Sequence, residues 1–410
     1  MGTVFCGIDW AEAHHDVALV DESGVLLARR RVSDDLPGWQ DLMDLLVEAG
    51  DSCDAPIPVA IETSRGLLVA CLRASGRPVF AINPMAVARY RDRHSTSGKK
   101  SDHGDAVVLA QILRTDQAAH RALPADTELA QSIAVLARAQ QDAVWDRTQA
   151  HNKLRSHLRE YFPGFLAAYA SKRDGIMRPD ARTILAAAPT PEAALALTRP
   201  RICALLKRAG RRRGIQAETD RLFHAFHQPQ MRHLPMVEAA MGQQTTALLR
   251  QLDTACVNAQ ALAEATTAAF QSHPHAEIIT SFPGLSDVTG ARVLAELGDD
   301  PTRFADARAV KAYAGAAPVT RASGKTKLVN HRRIKNQRLA AAGYVWAFAA
   351  ITASPGARTH YDRRRRAGDG HAAAQRNLFN RFLGCLHHCL RTRQPYDEHT
   401  AFPATRAVAA

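Results

Sequence analysis

The chain has 410 residues, of which 46% are apolar, and a formal net charge of +13. That length fills two or three domains with ample core. No apolar stretch is long enough to span a bilayer, and the N-terminus lacks the basic region, hydrophobic segment and cleavage site of a signal peptide, so no membrane partner is expected and the cytoplasm is the expected compartment.

The first third alternates short apolar runs with amphipathic segments. Residues 3–9, 15–20 and 25–32 read as three strands, the last two joined by the hairpin turn Asp21-Glu22-Ser23-Gly24. A helix near 36–49, a strand at 57–62, a helix at 66–75, a strand at 78–82 and a helix starting near Lys100 follow. Three antiparallel strands followed by alternating helix and strand describe a ribonuclease H-like (RuvC-like) architecture.

Four carboxylates fall in order on these elements. Asp9 closes the run Val4-Phe5-Cys6-Gly7-Ile8, and Glu62 closes Pro58-Val59-Ala60-Ile61. Asp102 and Asp105 open the later helix three residues apart, on one face. Any one of them alone is an ordinary cap or strand-end residue. Four converging anions repel unless a cation offsets them, and an all-oxygen set points to magnesium or manganese (Mg2+ or Mn2+). Two such ions can activate an attacking oxygen and stabilise the leaving oxygen in phosphodiester chemistry.

In the middle, residues 126–162 contain no Pro or Gly and place Leu129, Ile133, Leu136, Ala143, Ala150, Leu154 and Tyr161 at helical spacings, interrupted by Gln140 and Arg147. A second helix at about 243–272, with Leu248, Leu252, Ala255, Leu262 and Ala269, is expected to pair with it antiparallel as a coiled-coil spacer. The stretch 163–235 between them reads as an inserted subdomain of short helices and loops. Its basic patch, Lys207-Arg208 with Arg211-Arg212-Arg213, fits a loop or a nucleic-acid contact equally well.

After Pro274 the sequence Ile278 to Leu294, with Pro283-Gly284 at its turn, has the look of a helix-hairpin-helix. Such a turn can present backbone N–H groups to phosphate, although a Pro-Gly turn before an apolar helix is also ordinary packing. From Arg303 to Arg366 there are fifteen Lys and Arg against Asp306 and Asp362, a density suited to the phosphate backbone of double-stranded DNA. The candidates for that contact are Arg321, Lys325, Lys327, Arg332, Arg333, Lys335 and Arg363, Arg364, Arg365 and Arg366. Ser323, within Arg321-Ala322-Ser323-Gly324-Lys325, reads on its own as a turn residue.

These residues resemble one family over most of the chain: the DEDD-motif transposases of the insertion sequence one-ten type, also called bridge recombinases. The resemblance rests on GIDWAEAHHDVALVD with Asp9, AIETSRG with Glu62, KKSDHGDA with Asp102 and Asp105, and SFPGLSDVTGARVLAELGD followed by AYAGAAPVTRASGK with Ser323. It implies a RuvC-like domain whose four acidic residues match those above, and a C-terminal transposase domain whose serine, matched by Ser323, attacks DNA. It also implies a magnesium-dependent recombinase that joins donor and target DNA under a guide RNA encoded by the element, as a homo-oligomer, dimer or tetramer, that sets the acidic site of one subunit against the serine of another. This chain is longer than compact members of the family, chiefly in 163–235 and after 355.

The expected fold class is therefore α/β plus all-α. A RuvC-like DEDD domain spans 1–125, a helical coiled-coil region spans 126–275 and contains the insertion 163–235, a mostly helical transposase domain spans 276–395, and a disordered tail spans 396–410. Two other classes remain open: a metal-dependent Holliday-junction-type nuclease that uses water and the tetrad, and a non-catalytic nucleic-acid-binding scaffold. The pattern Cys385-Leu386-His387-His388-Cys389 imitates a zinc motif without a second ligand cluster, and reads as core packing.

Overall fold

The computed structural model describes residues 3–94, 102–324 and 326–403; the side chains at 94, 102, 103, 321 and 327 lie outside its described part. Contacts divide the chain into two compact units, 1–125 and 126–410. The chain is mixed α/β, with its sheet near the N-terminus and a helical remainder.

The first unit is built on β1 (Phe5–Trp10), β2 (His14–Val20), β3 (Leu26–Ser33), β4 (Val59–Ile61) and β5 (Val79–Ala81). They form one sheet in the order β3-β2-β1-β4-β5, in which β1 and β2 and β2 and β3 pair antiparallel, while β4 runs parallel to both β1 and β5. The β2–β3 turn is fixed by Asp21, whose Oδ1 accepts the Ser23 and Val25 amides, both at 2.9 Å.

Alternation along β1 sends its residues to two different cores. Cys6 and Ile8 join Val17, Leu19, Val59 and Ile61 beneath α1 (Leu36–Glu48) and α2 (Leu67–Ala74). Phe5, with Val20 and Ala60, packs on the other face against Leu109, Ala110 and Leu113 of α4 (Asp102–Asp116). Between β5 and α4 lies α3 (Pro84–His94), a helix that the sequence reading left out.

In the second unit two long helices, α5 (Glu128–Tyr161) and α11 (Pro235–Gln271), run along each other. They are antiparallel: Tyr161 at the end of α5 meets Thr245 near the start of α11, while Ile133 and Ala137 share a core with Phe270 at the far end. The buried positions on α11 (Glu238, Gly242, Thr245, Leu249, Leu252, Ala259, Thr266 and Phe270) follow three- and four-residue steps or their sums. The contact row is thus centred beside the expected one: Leu252 belongs to it, whereas Leu248, Ala255 and Leu262 flank it, half-buried.

The chain between them forms α6 (Pro163–Tyr169), α7 (Pro179–Ala187), α8 (Pro191–Leu195), α9 (Arg199–Arg208) and α10 (Ile215–Phe226). These close over an aromatic core of Phe162, Phe165, Tyr169 and Phe226. Inside it Asp180 and Glu218 are buried with their countercharges: Arg178 and Arg211 on Asp180 at 2.8 and 3.0 Å, Arg221 and Lys172 on Glu218 at 2.7 and 3.2 Å. Burial pushes both carboxyls upward, but the cations outweigh it and hold both below the usual carboxylate range.

The remaining helices are α12 (Ala276–Thr280), α13 (Asp287–Leu297), α14 (Ala307–Tyr313), α15 (Gln337–Ala353), α16 (Pro355–Arg366), α17 (His371–Thr392) and α18 (Glu398–Ala401). Between α14 and α15, β6 (Val319–Ser323) and β7 (Thr326–Asn330) make a separate two-stranded ribbon. Trp346 of α15 is fully buried, stacked on Phe382 with ring centroids 5.1 Å apart. No single helix among the described residues is long and apolar enough to cross a membrane.

One of the two readings of the Pro283-Gly284 turn is seen directly, and the expected tail is corrected. The Pro283 carbonyl accepts from Trp346 Nε1 at 3.1 Å, and a Cβ on Gly284 (φ +82°) would sit 2.5 Å from the Ala350 amide nitrogen. The turn is a packing contact with α15. The segment from Tyr396 is not a loose tail, because Glu398 Oε1 accepts from Ser354 Oγ at 2.6 Å and the Gly356 amide at 2.7 Å, and Phe402 lies under the Arg381 guanidinium at 4.9 Å. Residues 404–410 lie outside the described residues.

Candidate active site

Register determines where the N-terminal carboxylates sit. Ile8 of β1 pairs with Ile61 of β4 in a parallel ladder, so Asp9 and Glu62 follow side by side at the C-terminal ends of neighbouring strands. The two-residue alternation places Asp9 on the face of Phe5 and Gly7, and Glu62 on the face of Ala60, which is the α4 side of the sheet.

Helix α4 lies directly on this face. A Cβ on Gly7 would run into the Ala106 carbonyl and the Ala110 amide, so only glycine lets the helix backbone approach β1 this closely. Toward its C-terminal end, Gln111 Nε2 donates to the Gly24 carbonyl at 2.7 Å, at the opposite end of the sheet from Asp9. Hence α4 runs antiparallel to β1, and its first turn, with Asp102 and Asp105, begins over the edge that carries Asp9 and Glu62.

Asp105 is buried and its Oδ1 accepts from Arg91 Nη2 of α3 at 2.5 Å. Asp9 and Glu62 are half-buried, and the Asp102 side chain is outside the described part. Among the described residues no three His, Cys, Asp or Glu side chains stand close enough to share one ion. The chemistry of the donors nevertheless fits a hard divalent cation: three carboxylates on one edge, all oxygen, one already drawing a full positive charge from Arg91.

Sequence reasoning missed two neighbours of this edge. Asp16 of β2 is the cross-strand partner of Asp9, and Arg31 of β3 is the partner of Asp16. Arg31 closes on Asp16 with Nε at 3.0 Å and Nη2 at 2.8 Å. The row Arg31–Asp16–Asp9 thus crosses three strands on the α4 side. Arg91 was the other omission, because α3 was not foreseen.

Ser323 ends β6 and pairs with Thr326 of β7, beside Gly324 in the left-handed region at φ +55°. It is exposed at the tip of the ribbon. Lys325 and the side chains of Arg321 and Lys327 lie outside the described residues. Of the other basic candidates, Arg333 is exposed and Arg332 half-buried, while the stem of Lys335 lies against Gly315.

The four-arginine run at the end of α16 is less uniform than the sequence suggests. Arg364 is tied to Asp369 at 2.6 Å and Arg365 Nη1 donates to the Asp369 carbonyl at 2.8 Å, while Arg363 Nη2 meets His360 Nδ1 at 3.1 Å. Their charge also complements the C-terminal end of the helix. Arg363, Arg365 and Arg366 remain exposed. Cys389 is buried in the core and Cys385 packs against it.

Comparison with known proteins covers both ends of the chain. A transposase model of the IS110 DEDD type matches residues 6–163, and the model of the IS116/IS110/IS902 transposase family matches residues 276–362. Over its full length the chain is similar to the mini-circle putative transposase for IS117 of Streptomyces coelicolor, 62% identical over 99% of each chain. It is similar also to an uncharacterised 42 kDa protein of the insertion element IS900 from Mycobacterium paratuberculosis, 30% identical over 99% of each. A 43.6 kDa protein of the insertion element IS110 from Streptomyces coelicolor is 28% identical over 96% of this chain and 95% of its own.

Proposed function

Because this chain belongs to the IS110/IS116 family of insertion-sequence transposases, it is an enzyme that transposes DNA, and we propose that it cuts and rejoins DNA through Ser323 with the help of the acidic edge of its first unit. The observation that carries this reading is the convergence of Asp9, Glu62 and the start of α4 on one end and one face of the sheet. The strand order β3-β2-β1-β4-β5 supports a ribonuclease H-like, RuvC-like fold for this unit.

Asp9, Glu62, Asp105 and, from its place in α4, Asp102 would hold a divalent cation of the Mg2+ or Mn2+ class. When bound, such an ion supplies charge neutralisation for the phosphodiester and its leaving oxygen. Arg91, which holds Asp105 Oδ1, would then share that carboxylate with the cation and compete with it for Asp105. The Ser323 hydroxyl attacks phosphorus, its proton passing to solvent or a carboxylate, and the deoxyribose oxygen departs as the new serine–phosphate bond forms. That bond conserves the energy needed to rejoin DNA, which water attack would lose. Arg321, Lys325, Lys327, Arg332 and Arg333 surround this position in sequence and offset phosphate charge.

The exposed place of Ser323 on a ribbon tip supports its delivery into a DNA backbone. The α5–α11 pair, with its three- and four-residue spacing, supports a coiled-coil spacer. Guidance by an element-encoded RNA, and an oligomer in which one subunit's serine works beside another's carboxylates, follow from the family resemblance.

The test is denaturing electrophoresis of labelled DNA. Ser323→Ala should abolish the protein–DNA adduct while DNA binding persists, because one exposed hydroxyl and no charge is removed. A full-strength adduct from Ser323→Ala would eliminate the serine mechanism in favour of tetrad-and-water cleavage.

A further inference from the structure

We propose that the inserted subdomain carries a second nucleic-acid contact of its own, a binding site for a phosphodiester backbone on α9 and the turn that follows it, facing α7. The inference uses the chain's membership in a DNA-transposing family and is independent of the serine and metal readings above.

The argument begins with charge. Residues 163–235 hold thirteen Lys and Arg against five Asp and Glu, a net of +8. The structure shows where four of the five acids are paired. Asp180 and Glu218 are buried inside the subdomain with Arg178, Arg211, Lys172 and Arg221. Asp220 pairs with Arg199 at 3.1 Å, and Glu192 with Arg232 at 3.4 Å. Arg211, in the middle of the sequence patch, is therefore a structural residue.

Most of the remaining cations lie on α9 and the turn that follows it, and two of them share one cleft. Arg201, Lys207, Arg208, Arg212 and Arg213 are all exposed, and none has a carboxylate partner among the described residues. Arg201 and Arg208 are seven residues apart on α9, two turns along one face and about 10 Å along the axis. Both line a cleft whose opposite wall is α7, with Arg182, Thr183 and Leu205 between them and Asp253 of α11 at its edge. Arg182 is fixed there by its ion pair with Asp253 and by donating Nε to the Met177 carbonyl at 3.1 Å. The floor includes Ala186 and Ala187, which leave room for a backbone to approach.

An arginine-rich wall with spaced, unpaired guanidinium groups suits the oxygens of successive phosphates, which each fork can bind bidentately. Phosphate contacts of this kind position the polymer without selecting its sequence. Both duplex DNA and a structured RNA offer this chemistry.

The full-length protein with Arg201→Gln, Arg208→Gln, Arg212→Gln and Arg213→Gln combined should be compared with wild type by fluorescence anisotropy, over a range of salt, on a labelled 30-bp duplex DNA and on a labelled RNA hairpin. A parallel variant with Lys at the same four positions keeps the charge. For the polymer that occupies the site, the Gln variant should lose affinity and its log–log salt slope should flatten by about 0.9 for each duplex phosphate contact removed, or about 0.7 for a single strand. The Lys variant should keep most of the slope, and both should melt with the wild type, since Arg211 and the buried network are untouched. Flattening on RNA alone assigns the site to RNA, on DNA alone to DNA, and on both to either backbone. Unchanged slopes on both polymers, or an equal loss in the Lys variant, overturn the proposal.

Discussion

Asp9 of β1 and Asp16 of β2 stand directly opposite each other in the antiparallel ladder, two carboxylates on one face of one sheet. Like charges in such a pair repel. Arg31, closing on Asp16 at 2.8 Å from the next strand, offsets that repulsion. Arg31→Gln should therefore destabilise the first unit by about 1–2 kcal/mol, less than a fully buried pair because the Arg31 side chain is 47% exposed. Adding Asp16→Asn should restore much of the loss. Denaturant titration of the two single variants and the double decides it; an Arg31→Gln protein as stable as wild type would show that the pair does not offset the repulsion.

The carboxylates of the acidic edge are expected to matter for chemistry more than for folding. Asp9→Asn, Glu62→Gln, Asp102→Asn and Asp105→Asn should each abolish transposition while circular dichroism remains that of the wild type. Arg91→Gln offers a different readout, since it frees Asp105 from its ion pair. Calorimetric binding of Mn2+ should tighten in Arg91→Gln and weaken in Asp105→Asn. Two carboxylate variants that transpose at the wild-type rate would dismiss the tetrad as a metal site.

Gly7 couples the strand to the helix above it. Gly7→Ala places a methyl group against the Ala106 carbonyl and the Ala110 amide, and neither backbone atom can move without moving α4. We expect a loss of about 1–3 kcal/mol from overpacking and a larger loss of activity, because the first turn of α4 is displaced with the rest. Gly370→Ala, where a Cβ meets nothing within 4 Å, serves as the control. Normal transposition by Gly7→Ala would show that the site tolerates a shift of α4.

Acid should loosen the inserted subdomain. Asp180 and Glu218 have folded-state pKa values below their ordinary ones, burial pushing up and the surrounding cations pulling down more strongly. Stability from these groups is complete above the unfolded carboxylate range, about 4, and is lost as pH falls through the lower folded values. Melting followed at pH 7, 5, 4 and 3 should show a fall concentrated below about pH 4. Arg211→Gln, which removes one cation from both carboxylates, should lessen that acid dependence while lowering stability at pH 7. A melting temperature that does not change between pH 5 and 3 would contradict the assignment.

The parts of the fold that were legible in sequence are those with a strict period. Phe5 to Ile8 and Val59 to Ile61 are apolar throughout because both faces of those strands are covered, and each run ends in a carboxylate that stands out for that reason. Asp16 and Arg31 were hidden because a charge beside an apolar run reads as solvent-facing until the strand register is known. The long helix α11, expected from about 243, starts at Pro235, and Gly242 lies inside it, where a Cβ would collide with Thr190. Tyr396 to Phe402 have no periodicity, since they dock by single rings and by the carboxylate of Glu398 rather than by a repeating face. Ser323 has no local signature at all, since an exposed hydroxyl beside glycine occurs in many turns.

The antiparallel course of α5 and α11 has a consequence for how such a protein is assembled. His233, just before α11, donates Nε2–H to the carbonyl of Glu160, one residue short of the end of α5, at 3.3 Å. Departure and return therefore share one doorway, and the five short helices form an excursion from the long pair that packs back on Leu154, Leu158, Leu249 and Leu252. Removal of these helices would leave two chain ends close enough for a brief connector to bridge, with the other end of the pair undisturbed. A change in the length of this excursion would thus leave the far end of the pair in place, while any shortening would have to re-cover those leucines.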